Sequence, residues 1–260
     1  MLVDAHSHAD CYPRSQIDEV LDDIERSRIF TIGVSTTAAD YMRLRDFAAR
    51  SRYVVPNFGI HPWYAPDFVH NLQALDPFLD ESPMYTEIGL DYLFVPDSNQ
   101  WPAQRELLGY FFDAARRQDK IVNLHTPGAY EDLLEMLDDY EIRRAIIHWF
   151  VGSEDLLNEF TSRGYYITVG YAVTALADVQ EVARIAPAEY LLTETDNPYA
   201  QQEFTRELGM PSVVKTIVDE IASQRGQSAE AVERQVQSNL LRLFENDPRL
   251  DEAIEVLSAG

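Results

Sequence analysis

An α/β fold, a closed (β/α)8 barrel of the TIM type with extra C-terminal helices, is what this sequence predicts, and three observations predict it. Eight short apolar runs recur along the chain, longer amphipathic stretches separate them, and no linker, low-complexity segment or repeat interrupts the rhythm. Strands that alternate with helices bury both faces of a parallel sheet, and eight in succession favour a barrel over an open doubly wound sheet. With 260 residues, 46% of them hydrophobic, the chain can bury a large core, and residues 1–260 are expected to form one domain.

The first run, LVDAHSH (2–8), opens on Leu2 and Val3, and strand alternation sets His6 and His8 on one face. In QIDEVLDDIERSRI, Ile17, Val20, Leu21 and Ile24 fall at helical spacing, so a helix is predicted near 16–28. The other strands are read from FTIGVST (30–36), YVVPNFGIH (53–61), MYTEIGL (84–90), KIVNLH (120–125), RAIIHWF (144–150), YYITVGY (165–171) and YLLTETD (190–196). Helices are expected near 39–50, 67–80, 101–119, 128–140, 153–162 and 174–186, and two more, near 212–225 and 228–245, would brace the barrel.

Charge limits the partners. Acidic residues number 44 against 21 basic ones, a net charge of −23, and only Lys120 and Lys215 are lysines. Such a surface repels polyanions at long range, so no stable nucleic-acid complex is expected and any phosphate must be held locally. Adaptation to a salty cytoplasm would produce this balance, as would a high-GC genome with ordinary acidic helices. No run of about 18 apolar residues and no evident signal peptide are present, so a cytoplasmic protein with no membrane association is expected. Cys11 is the only cysteine, which leaves no internal disulfide and no cysteine-based zinc site. Its expected role is that of a small buried hydrophobe rather than a nucleophile.

A His-x-His pair alone is equally a feature of a wet surface, but here the remaining histidines add to it. His61, His125 and His148 also close apolar runs, in NFGIHP, IVNLHT and AIIHWF, and only His70 lacks such a setting. Glu87 lies in the fourth strand and Asp196 ends the eighth, so these side chains all reach the C-terminal face where barrel enzymes place their active sites. Burying imidazoles and carboxylates together without an ion would leave costly unpaired polar groups. His6, His8, His125 and His148 with Glu87 and Asp196 exceed what one zinc needs, and they suit two divalent ions sharing a bridging carboxylate. Imidazoles and carboxylates together admit Mg, Zn, Mn or Ni. Parity also turns Glu194 towards the mouth beside Asp196, to hold a weaker cation or substrate, or to orient a metal-bound histidine. Asp4 and Asp91 are candidates for that orienting role, while Trp63, Tyr64, Tyr92 and Trp149 lie where they can stack bases or pack the rim.

The motifs DAHSHAD, FGIHPW, TEIGLDY, IVNLHT, IIHWFVGS and LLTETDNPY, in this order, resemble the TatD family of metal-dependent deoxyribonucleases in the amidohydrolase superfamily. The likeness runs from residue 1 to about 245, where SNLLRLF resembles the family's closing helix. It implies a barrel in which His6, His8, Glu87 and Asp196 hold one ion and Glu87, His125 and His148 the other. It also implies that Asp196 takes the proton of the attacking water and that His61 serves substrate phosphate and catalysis. Lys120 opens the fifth strand, at the wrong end to replace Glu87 as a bridge. Three departures touch the substrate pocket: Pro127 where an arginine is frequent, Trp149 where a small residue is usual, and QQEFTRELGMPS in place of an Asn-Glu-Pro segment. The function expected is therefore metal-dependent hydrolysis, as a 3′–5′ exodeoxyribonuclease acting on ends of single-stranded DNA through metal-activated water. The alternative is an amide, ester or lactone hydrolase of the same superfamily.

Overall fold

Each of the eight apolar runs becomes a strand, and each strand is shorter than its run. A computed structural model of the chain describes residues 1–259. Its strands are β1 (Leu2–Ser7), β2 (Ile29–Gly33), β3 (Val54–Pro56), β4 (Tyr85–Gly89), β5 (Val122–His125), β6 (Ala145–Ile147), β7 (Tyr166–Val169) and β8 (Leu191–Thr193). They pair in parallel as two ladders, β1 to β3 and β4 to β8, each in chain order. Phe58 bridges Tyr85 between the ladders, and Thr86 N donates to Phe58 O at 3.0 Å. Where β8 meets β1, Thr193 Oγ1 donates to Val3 O at 2.6 Å and Asp196 N to His6 O at 2.9 Å. Proline lacks the N–H that would extend a ladder, so β3 stops at Pro56. Asn57 Nδ2 takes over there, donating to Gly33 O at 3.1 Å and Val55 O at 2.8 Å.

Twelve α-helices follow among the described residues: α1 (Ile17–Ser27), α2 (Ala38–Ala48), α3 (Ala65–Phe68), α4 (Asp76–Glu81), α5 (Trp101–Gln118), α6 (Tyr130–Asp139), α7 (Glu154–Ser162), α8 (Ala177–Ile185), α9 (Tyr199–Thr205), α10 (Val214–Arg225), α11 (Ala229–Phe244) and α12 (Asp251–Ser258). Thr37, Ser153 and Ser228 cap α2, α7 and α11 with side-chain oxygens that accept first-turn N–H groups. The single helix expected over 67–80 is instead α3, a 3-10 turn and α4. Pro66 and Pro77 each stand in a first turn, where proline starts a helix but cannot continue one. Neither α9 nor α12 was anticipated from the sequence. No helix among the described residues is long and apolar enough to cross a membrane.

The N-terminal end of the barrel is tied by charge. Asp247, buried just past α11, meets Arg144 at 2.9 Å and Arg249 at 2.7 Å. Lys120 lies at this end, as its position before β5 requires: Nζ donates to Leu79 O and sits 4.9 Å from the Tyr85 ring centroid.

Candidate metal centre

Most of the polar residues at the opposite, C-terminal end lie in loops rather than in the strands where the sequence reading put them. His6, Glu87 and His125 are strand residues, but His8, His61, His148, Glu194 and Asp196 all follow their strands. Strand parity therefore does not explain why Glu194 and Asp196 face the site. Backbone conformation does: Glu87, Trp149 and Asp196 have φ of 56°, 44° and 49°, and the β4–β5 register shifts between Thr86 and Ile88. A left-handed non-glycine residue costs roughly 1–3 kcal/mol, and such strain concentrates where a side chain must be aimed. Gly89 permits the approach of β5, since a Cβ there would lie 1.8 Å from the carbonyl oxygen of His125.

Glu87 is the centre of the group. Its carboxylate oxygens lie 2.6 Å from His6 Nε2, 3.9 Å from His8 Nε2, 3.5 Å from His61 Nε2, 3.5 Å from His125 Nδ1 and 3.7 Å from His148 Nε2. Asp196 lies 3.2 Å from His8 Nε2 and 3.8 Å from His6 Nε2. The outer nitrogens fix the tautomers. His6 Nδ1 meets Asn123 Oδ1 at 3.0 Å, His125 Nε2 meets Asp91 Oδ2 at 3.0 Å, and His148 Nδ1 is 3.6 Å from Glu194 Oε2. The outer nitrogens of His6 and His125 donate to oxygens, so when neutral these two rings turn an unprotonated nitrogen towards Glu87, whereas His148 Nδ1 lies too far from Glu194 for a hydrogen bond. His61 is opposite in sense: its Nδ1 accepts from Trp63 N at 3.2 Å, leaving the proton on the inward Nε2.

This donor set fits metal ions. Ligand atoms of His6, His8 and Glu87 lie within 4.8 Å of one another, as do those of His61, Glu87 and His125, and those of His6, His148 and Glu194. His6 Nε2, Glu87 Oε2, His148 Nδ1 and Glu194 Oε2 are buried without a hydrogen-bond partner, although the first two are close. Each unsatisfied buried group costs about 1–3 kcal/mol, which a shared cation would relieve. Burial alone would raise the pKa of Glu87, but the imidazoles of His6 and His148 outweigh it and hold the carboxyl well below its usual range. Burial lowers His6, yet the Glu87 carboxylate lifts it to about 10, so positive charge is favoured at that spot. Burial, reinforced by His125, pushes His61 down to about 3 and keeps it neutral. Glu194 is pushed up to about 8 by burial.

A cavity of about 530 Å³ opens on this group, with Leu93, Phe94, Thr126, Trp149 and Val151 among its lining residues. Trp63 lines it too, its Nε1 donating to Asp91 Oδ2 at 2.5 Å. Tyr92 is withdrawn: it stacks on Trp101 at 4.0 Å, and its hydroxyl donates to Asp132 at 2.8 Å. Tyr64 stands 40% exposed beside His61.

Of the orienting candidates, Asp91 holds an imidazole and Asp4 does not. Asp4 instead accepts from Thr195 N at 2.8 Å and Thr195 Oγ1 at 2.6 Å, so Thr195 ties the Asp196 loop to β1. Asn123 was missed, although it precedes His125 by two in the same strand and so shares its face. Cys11 is only partly buried, and burial together with Asp10 pushes its thiol up to about 12, far from a thiolate nucleophile. His70 is exposed and outside the group.

The TatD related DNase model matches residues 3–245. The metal-dependent hydrolase YcfH of Escherichia coli K12, itself described as uncharacterized, is 27% identical over 95% of this chain and 96% of its own length. Human deoxyribonuclease TATDN3 is 23% identical, covering 94% of each chain. Among solved structures, YJJV, a TatD homolog from Escherichia coli K12, superposes with a TM-score of 0.83 at 26% identity, covering 94% of this chain and 97% of that one.

Proposed function

The chain belongs to the TatD related DNase family and is a metal-dependent hydrolase, and on that premise we propose that it cleaves phosphodiester bonds at free ends of single-stranded DNA in the 3′–5′ direction. The observation that carries this reading is the convergence of four inward imidazoles on one strained, buried Glu87 with Asp196 beside it. In the proposal His6, His8, Glu87 and Asp196 hold one divalent ion, and Glu87, His125 and His148 hold a second. When bound, such ions lower the pKa of water towards about 7 and neutralise charge on the attacked group.

The chain's own residues supply the rest. The histidines His8 and His6 keep Asp196 below the usual carboxylate range against the opposing effect of burial, so at neutral pH it is ionised and ready to take the proton of the attacking water. His61, neutral and with its proton on Nε2, is a donor towards a phosphoryl oxygen rather than a ligand. Glu194 acts as a positioning residue, accepting from Trp149 N at 2.8 Å and facing His148 Nδ1. A recessed site of this kind admits a free end more readily than the interior of a duplex.

A second reading is favoured by one observation: no lysine or arginine lines the cavity. An amide, ester or lactone would need no such cation. Stripping the purified protein of metal, restoring Mg, Mn, Zn or Ni singly, and offering single-stranded DNA, aryl phosphodiesters, lactones and dipeptides separates the two. Metal-dependent nucleotide release supports the nuclease. Turnover of lactones or dipeptides without any nucleotide release would replace it with the second reading.

A further inference from the structure

We propose that the outer half of the cavity is a subsite for one planar nucleobase, the base of the terminal residue, held by stacking and edge contacts rather than by phosphate pairing. The inference rests on the nuclease reading and names what that site recognises.

Eight large apolar side chains are exposed among the described residues, and four of them, Trp63, Leu93, Phe94 and Val151, line this one cavity. Leu93 and Phe94 are 62% and 64% exposed, and apolar surface gathered at one place on an otherwise acidic protein marks a binding site. The wall is held in shape. Asp91 Oδ1 accepts from Leu93 N at 3.1 Å and Phe94 N at 2.8 Å, while its Oδ2 holds the Trp63 indole and His125. One carboxylate thus fixes both the apolar wall and an imidazole that faces Glu87.

The occupant must also carry polar edges. Thr126 lines the cavity only 2% exposed, and its Oγ1 has no hydrogen-bond partner. A base brings π-faces for Trp63 and Phe94, and its donors and acceptors suit the polar side of the lining, where Thr126 lies. Glu203, also in the lining, is a further acceptor at the rim. A volume of about 530 Å³ suits one nucleotide rather than a length of strand. With no lysine or arginine in the lining, phosphates beyond the scissile one have no partner.

The test compares two ligands with the same phosphate, thymidine 5′-monophosphate and 2-deoxyribose 5-phosphate, titrated calorimetrically into the full chain at a fixed divalent-ion concentration. The nucleotide should bind roughly 5- to 100-fold more tightly, the range of base–aromatic stacking. Combining Leu93→Ser with Phe94→Ser, both at exposed positions that the core does not need, should bring the ratio near one and leave the sugar phosphate unaffected. Equal affinities in the wild type, or a preference that survives the double substitution, overturns the subsite. Release of nucleotides from DNA alongside equal affinities would refute the subsite alone. A clear base preference without DNA cleavage under any metal would uphold the subsite and refute the nuclease reading.

Discussion

At the N-terminal end of the barrel, Asp247 meets Arg144 at 2.9 Å and Arg249 at 2.7 Å, and Asn239 donates to the carbonyls of Ala188 and Leu191 at 2.7 and 2.8 Å. At the C-terminal end, His6 Nε2, Glu87 Oε2, His148 Nδ1 and Glu194 Oε2 are buried without partners, and Glu87, Trp149 and Asp196 are left-handed. The same strands feed both ends, so the difference is local. One end pairs its buried carboxylate and amide with other groups of the chain, although Arg144 Nε has no partner, while the other gathers four unpartnered polar atoms at one point. Substitutions at the two ends should accordingly fail in different ways.

The largest contrast is expected from Glu87→Ala, which removes the carboxylate common to both proposed ion positions. Turnover of the metal-loaded protein should fall by at least about 10³-fold, several kcal/mol of lost electrostatic stabilisation, and steady-state kinetics on the best substrate measures it. Activity within tenfold of wild type would remove the mouth's central residue from the mechanism. His61→Ala sharpens the division within the mouth. As a donor outside both ligand sets it should lose roughly 10²- to 10⁴-fold in kcat while keeping the metal content of wild type. Loss of an ion from this variant would make His61 a ligand instead.

At the other end, Asp247→Asn should leave kcat unchanged per folded molecule and lower stability by roughly 1–3 kcal/mol at neutral pH, read from denaturant unfolding. Burial would raise the pKa of Asp247, but Arg249 and Arg144 outweigh it and hold the pKa down. A carboxyl lowered on folding contributes stability above its unfolded pKa of about 4 and loses it as pH falls through the folded value. The difference between variant and wild type should therefore shrink on acidification below about pH 4. A difference that grows with acid would mean the clamp is not ionic.

The smallest effect concerns neither end but the surface around both. If the net charge of −23 reflects a salt-rich host, the melting temperature should rise by a few degrees as KCl approaches molar concentration. A flat or falling curve would assign the acidity to composition alone.

All eight strands were legible because alternation of apolar runs with amphipathic stretches survives even where the strands are as short as β6 and β8. Helix breaks at Pro66 and Pro77 were legible in principle, since proline in a helical pattern ends or restarts it, yet the apolar spacing over 67–80 masked them. The residues of the site could be named from strand ends and motif resemblance, but their aim could not. Left-handed backbone at Glu87 and Asp196 leaves no mark in a hydrophobic pattern. Asn123 was hidden by reading only charged and imidazole side chains as ligand-directed, and the grip of Asp91 on Leu93 and Phe94 depends on a loop path that no periodicity encodes.

Elemental analysis of purified wild-type protein and Glu87→Ala tests the claim that the C-terminal end is a metal centre organised by one bridging carboxylate. The account predicts about two divalent ions per wild-type chain and fewer than one in the variant. A wild-type protein that binds no ion, or a variant that retains both, would contradict it.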